Sequence, residues 1–526
     1  MPFLKSLLQV SLAAAVGAGL AGCMADLDGS TGAAPADEDD PASARDATWD
    51  SIRAARQNAV DGYLKDHAAE FEAFLHRPLG KTGTPTALLR NFPAVFPDIW
   101  GAPAEHFGPI GFSADSFKPG ATLPLGLGAS VLSNGLEVAT LTCAGCHVGG
   151  VIGPDGQEIK LIGAPNTGFN QFRVAINDTV VDPRYFAAFG QNALTVGFRD
   201  KVLQFKQLID STAGAFTYNP LRIPNAPALN TRDKPGFLDA IGIAVSILTL
   251  PELLDPATAQ QIVVAVMPPV PAQVDIMSIW RQRERPLAQW DGSIASAIYR
   301  NLGAEVGVTA DPAVTDYENA ALTATFAQDL PPPPYPFDVD MPKARAGKQL
   351  HDQYCGGCHD AGSTTIFPVS ATRTDPNRSL TITTENRRRL IAAVRSACKD
   401  PAVCDIPDDD VIRDVDSSGR GYMALPLDGI WARAPYLHNG SVPTLYHLLV
   451  PQSRPATFFR GSKRFDQQKV GFVWDSSAAS DPYTHVFDTG ESGGANTGHD
   501  NAAFNGIDWS QHPEELAELL EYLKTL

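Results

Sequence analysis

The sequence predicts a mainly α-helical protein of two domains, with long proline- and glycine-rich loops and little β structure. Three observations predict it. A Cys-x-x-Cys-His motif occurs twice, at Cys143-Ala144-Gly145-Cys146-His147 and at Cys355-Gly356-Gly357-Cys358-His359. Apolar residues recur at helical spacing at the start of the body and again at the C-terminus. Between the motifs, Pro331 to Pro334 form a stiff, extended stretch that separates the half of the chain bearing the first motif from the half bearing the second.

Residues 1–23 read as an export signal. Lys5 precedes an apolar run too short to span a bilayer. The run ends in Leu20-Ala21-Gly22-Cys23, which resembles the lipobox of bacterial lipoproteins and makes Cys23 the lipidated residue. The expected location is therefore exported: anchored by lipid to a bacterial membrane, in the periplasm or on the outer surface. Residues 24–48 are rich in Ala, Asp, Pro and Gly and hold almost no large apolar side chain. They are expected to form a disordered acidic tether.

The body begins with a helix expected over Trp49 to His76, on Ile52, Val60, Phe71 and Phe74, stopped by Pro78 and Gly80. Residues 49–328 form the first domain, with further helical patches at Pro235 to Leu250 and Pro256 to Val266 among proline-rich loops. Residues 329–336 are the linker and 337–526 the second domain. There, a run of good helix formers feeds into the second motif. A C-terminal helix starts at Pro513 and carries the stripe Leu516, Leu519, Leu520 and Leu523. With 526 residues, 44% hydrophobic and 19% charged, the chain has ample material for buried cores. A formal net charge of −18 argues against electrostatic binding to nucleic acid or an anionic membrane, leaving the lipid as the membrane contact.

Two thiols at this spacing can add across the two vinyl groups of haem while the adjacent histidine binds the iron. The alternatives are a zinc site and a redox dithiol, but neither motif has another cysteine close by. The expected cofactors are thus two covalently bound haem c groups, on Cys143 and Cys146 with His147, and on Cys355 and Cys358 with His359. A helix before the motif and another at the C-terminus resembles small cytochrome c domains, in which Gly347 and Tyr522 would mark the helix crossing. This makes the two domains cytochrome c-type haem domains. Cys398 and Cys404 remain and are expected to pair as a disulfide in an oxidising compartment.

The supply of sixth ligands differs between the motifs. Met423, His438, His447, His485, His499 and His512 follow the second. No histidine lies between His147 and His351, which leaves His67, His76, His106, Met267 and Met277 for the first. The first haem is therefore expected to be open or weakly ligated, and reactive.

Pro426 to Leu449 resembles the signature of the bacterial di-haem cytochrome c peroxidase superfamily. Leu123 to Leu127, Ile162 to Asn170, Pro333 to Asp340, Arg460 to Phe472 and Gly498 to Asp500 resemble its rubber-oxygenase-like branch more narrowly. The resemblance implies that His499, in competition with Met423, closes the second haem. It implies an oxidoreductase that activates dioxygen or peroxide at the first haem and passes electrons through the second. An unknown electron donor or organic substrate would be the partner. His438, Arg433 and Trp280 become candidate residues beside the haems, with Arg433 able to meet a propionate. Relatives in the superfamily hold calcium between their domains, although no loop here carries a calcium signature. The rival expectation is an electron carrier with both irons six-coordinate.

Overall fold

The structure is a computed structural model that describes residues 48–81, 83–105, 107–169, 172–213, 273–309, 315–359, 362–363, 365–381 and 420–526, with scattered residues between 388 and 413. Cys23, the 24–47 tether, His106, the two helical patches between 235 and 266, Met267 and Cys398 lie outside them.

The expected first helix forms as two, Trp49–Asp66 and Ala68–His76, broken at His67. Thr48 caps the first, its hydroxyl accepting the Ser51 N–H. Asp316 and Asp340 cap the helices Tyr317–Gln328 and Met341–Tyr354 in the same way, accepting from Asn319 and Lys343. Pro513–Leu523 buries its leucine stripe as the periodicity predicts.

Two parts of the predicted fold class need correction. The first is the expectation of little β structure. The described residues include one three-stranded sheet and four two-stranded antiparallel sheets, so the fold mixes helices with small sheets. The cause is local turn chemistry. Strands Leu127–Val131 and Glu137–Leu141 join through Ser133-Asn134-Gly135, with Gly135 at φ +82. Strands Val148–Ile152 and Glu158–Ile162 join through Pro154-Asp155-Gly156, with Gly156 at φ +78. Both are tight antiparallel hairpins that end on a left-handed glycine.

The second correction concerns two separately built cytochrome domains. One hydrophobic core runs from Trp49, Phe74, Ala144 and Val151 in the first half to Tyr335, Trp431, Leu449 and Leu519 in the second. Trp49 Nε1 donates to Phe337 O at 2.7 Å, and Ile152 N–H donates to Lys463 O at 2.8 Å. The proline stretch takes part in this core, because Leu330 and Tyr335 are fully buried and Tyr335 packs edge-on against Trp431 and Phe465. Aromatic side chains of this size contribute most of their stabilisation by leaving water, so their partners on both sides form one packed body.

Met341–Tyr354 crosses Pro513–Leu523 at Gly347. A Cβ there would lie 2.0 Å from Glu518 O, and the Tyr522 ring sits 5.1 Å from that of His351. Gly347→Ala is expected to force the helices apart and cost about 1–3 kcal/mol, read as a lower urea midpoint.

Candidate functional site

Thr142 sets the position of the first motif. Its N–H donates to Gly126 O at 2.9 Å and its hydroxyl to Leu75 O at 2.9 Å, fastening the Cys143–His147 turn to two neighbouring segments. Gly126 has φ +98, and a Cβ on it would come within 2.6 Å of Gly145 Cα, a close approach that only glycine allows. On the other side, Asn166 N–H donates to Cys146 O, Asn166 Nδ2 to Gly145 O, and Gly163 N–H to His147 O, each at 2.9 Å. The segments from Leu123 and Ile162 singled out by the resemblance thus meet on this motif.

Burial pushes the Cys143, Cys146 and Cys355 thiols up to about 12, with the Glu305 charge adding to the effect at Cys143. Burial therefore favours the neutral thiol at each of these three positions. Burial, and then Arg300, lowers His147 to about 4, so its ring is neutral and able to bind a metal. Its Nδ1 is buried without a hydrogen-bond partner, and the Met277 main chain lies beside the ring. Cys143, Cys146 and His147 all keep part of their surface accessible although protein crowds around them.

The second motif follows the Met341–Tyr354 helix directly. Cys355 N–H donates to His351 O at 2.7 Å, and Asn505 Nδ2 donates to Tyr354 O at 2.7 Å. His359 Nδ1 lies 2.7 Å from Leu425 O, which makes that nitrogen the donor and Nε2 the one that would bind a metal. The His499 ring lies opposite, with centroids 6.3 Å apart. A ring nitrogen sits about 2 Å from a bound metal and the ring centre roughly 1 Å further back, so two imidazoles on opposite faces of one metal have centres about 6 Å apart. The geometry fits one iron between them.

His499 is held by its own loop. It has φ +49, and its N–H donates to Thr372 O at 3.0 Å. Arg454 Nη1 donates to Asn496 O at 2.6 Å and Gly498 O at 2.8 Å, while its Nε and Nη2 grip His447 O and Leu448 O. Burial, followed by the neighbouring His359 and Arg454, lowers His499 to about 3, keeping its ring neutral. Met423, its rival, lies on the strand Gly421–Met423, with its sulfur close to Gly292.

The other candidates make contacts of their own. Trp280 is fully buried and donates from Nε1 to Ile162 O at 2.7 Å, and Arg433 lies over its ring at 5.7 Å. His438 stacks on Tyr422 at 4.0 Å, near the buried Arg378–Asp291 ion pair, and burial lowers it to about 3. Cys404 is disulfide-bonded, and its expected partner Cys398 lies outside the described residues. No helix among the described residues is long and apolar enough to cross a membrane.

Glu305 was not anticipated. Only 1% exposed, it takes one hydrogen bond, from Asn319 Nδ2 at 3.0 Å, and burial raises it to about 9, with Asp316 adding to the rise. A raised carboxyl contributes stability that is full below about pH 4.5 and is lost as pH climbs toward 9. Glu305→Gln is therefore expected to leave the melting temperature unchanged at pH 4.5 and to stabilise by roughly 2 kcal/mol at pH 7, as read by melting at the two pH values.

Comparison with known proteins narrows the class. A RoxA-like, cytochrome c-like family model matches residues 421–459. This segment holds Leu425, Arg433, His438 and Arg454, so a cytochrome c-like element lies against the second motif, and covalent haem c is the cofactor it suggests. A Y4iN-like domain model matches residues 69–147 and ends on His147. Three relatives from Sinorhizobium fredii (strain NBRC 101917 / NGR234) are similar. The uncharacterized protein y4iM is 40% identical over 284 residues, which take in 49% of this chain and 66% of the relative. The uncharacterized protein y4iJ is 27% identical over 74% of this chain and 77% of its own length. The uncharacterized protein y4iN is 31% identical over 18% of this chain and 55% of its own length.

Arg300 and Arg454 also escaped the sequence reading. Neither stands beside a cysteine or histidine motif in the chain, and only the fold carries them to one.

Proposed function

We propose that the chain is an exported, lipid-anchored di-haem c-type cytochrome that acts as an oxidoreductase on dioxygen or peroxide. Haem c, when bound, supplies one-electron transfer and a site for oxygen or peroxide. Cys143 and Cys146 hold the first group with His147 as ligand, and Cys355 and Cys358 hold the second with His359.

The observation that carries the reading is the unequal fencing of the two motif histidines. His359 faces His499 across 6.3 Å, a closed pair suited to electron transfer. Among the described residues, no second histidine ring faces His147, and Met277 lies beside it through its main chain. Trp280 ties the sheet behind the first motif to Arg433 in the cytochrome c-like segment, which keeps the two sites in one rigid frame.

Steady-state turnover of hydrogen peroxide with a reduced artificial donor, together with dioxygen uptake, tests the activity. Turnover that disappears in His147→Ala is expected. Full reduction of both haems without any turnover would instead make the chain an electron carrier. Export is tested separately: Cys23→Ala is expected to move the protein from the membrane to the soluble fraction.

A further inference from the structure

Three guanidinium groups converge beside the first motif. Arg300 sits on the helix Ala297–Thr309, close enough for its charge to act on both His147 and Cys143. Arg285 lies near both Arg300 and Arg433, and after burial its charge is what holds those two guanidinium groups below their usual range. Like charges gathered out of water repel strongly unless an anion joins them.

Their hydrogen bonds leave capacity unused. Arg285 donates from Nη1 to Ser278 O at 3.0 Å, and its other Nη lies 3.5 Å from Ser278 Oγ. Arg433 donates to Pro426 O at 2.7 Å and to Asp428 O. Arg300 donates from Nε to Asn301 Oδ1 at 3.1 Å. The Nε atoms of Arg285 and Arg433 are buried with no partner. None of the three forms an ion pair with a described carboxylate. The nearest acids, Asp428 and Glu284, lie 3.2 and 3.9 Å from a fourth arginine, Arg281. Four guanidinium groups thus share two carboxylates, which leaves an excess of two positive charges.

We infer that Arg285, Arg300 and Arg433 form a binding site for two carboxylates, those of the propionate arms of the haem carried on Cys143 and Cys146. Two propionates carry two negative charges and so match the excess. Each offers a planar, bidentate acceptor for a guanidinium fork. Arg300, which acts on His147, links the anion site to the ligand of the iron. This assignment rests on the proposed haem at the first motif. A soluble carboxylate substrate has the same chemistry and is separated from it by the test.

The test is a spectroelectrochemical titration of the holoprotein, with haem content counted first. Arg300→Gln and Arg285→Gln are expected to keep two haems per chain and to lower the reduction equilibrium of one haem about tenfold, or 59 mV for one electron. The other haem stays unchanged. Arg300→Lys keeps the charge and guards against misfolding; it is expected to shift that equilibrium less than threefold. Two haems whose potentials are unmoved in all three variants overturn the inference. A wild-type optical shift on adding succinate or benzoate also overturns it, because the site would then be open to a free carboxylate. Protein that carries haem only at Cys355 and Cys358 sinks the underlying reading instead.

Discussion

On the proposed di-haem reading, His499→Ala is expected to convert one haem from low-spin to high-spin and to make it bind added imidazole or cyanide, while the other keeps its wild-type spectrum. The reason lies in how little else can take the place of His499. Its ring stands 6.3 Å from that of His359, and the loop that carries it is gripped at Asn496 and Gly498 by Arg454. Met423 pairs with Ile366 in a short sheet, and its sulfur lies close to Gly292. Arg454→Ala leaves the ligand in place but loosens its loop, so a partial and temperature-dependent version of the same spectral change is expected. Optical and electron paramagnetic resonance spectra of the oxidised variants read both effects. An unchanged spectrum in His499→Ala would move the ligand elsewhere.

Arg460→Met is expected to destabilise the protein by about 3–5 kcal/mol at pH 7. Arg460 Nη2 lies 2.6 Å from Asp275 Oδ1, and both side chains are almost wholly buried. Asp275 also accepts the Ile276 N–H, and its main chain bonds to His438 O and Trp290 Nε1, so the pair fastens the segment from 273 to 280 to the second half of the molecule. Burial outweighs Arg460 and lifts Asp275 to about 6. Without the arginine the carboxylate is left buried and alone. Because its folded pKa is raised, the penalty is small below about pH 4 and grows as pH rises. Urea unfolding at pH 4.5 and pH 7 should show a much smaller deficit at the lower pH. The double variant Asp275→Leu with Arg460→Met removes both charges and is expected to recover most of the loss.

The parts of this chain that the sequence made legible are those governed by local chemistry. The two motifs, the helix Met341–Tyr354 before the second and the C-terminal leucine stripe could be read from composition and spacing, and the glycine at the helix crossing came from the resemblance to small cytochrome c domains. The hairpins were written there as well, in Asn134-Gly135 and Asp155-Gly156, but a helical expectation passed over them. What could not be read was long-range. Tyr335 and Leu330 sit in a proline-rich stretch with the composition of a linker, yet they complete the shared core. The resemblance pointed to His499 without saying what would hold it, and Arg454, which does so, is 45 residues away in the chain. Arg300 and Glu305 belong to an ordinary amphipathic helix, and only burial in the fold lowers the one and raises the other.

The central claim is that two haem irons in one chain are closed to different degrees. Cyanide titration of the fully oxidised protein, followed by its optical spectrum and normalised to haem content, tests it most directly. The account predicts that half of the haem binds cyanide and half ignores it. A protein whose haems both ignore cyanide, or one that carries zinc in place of haem, contradicts it.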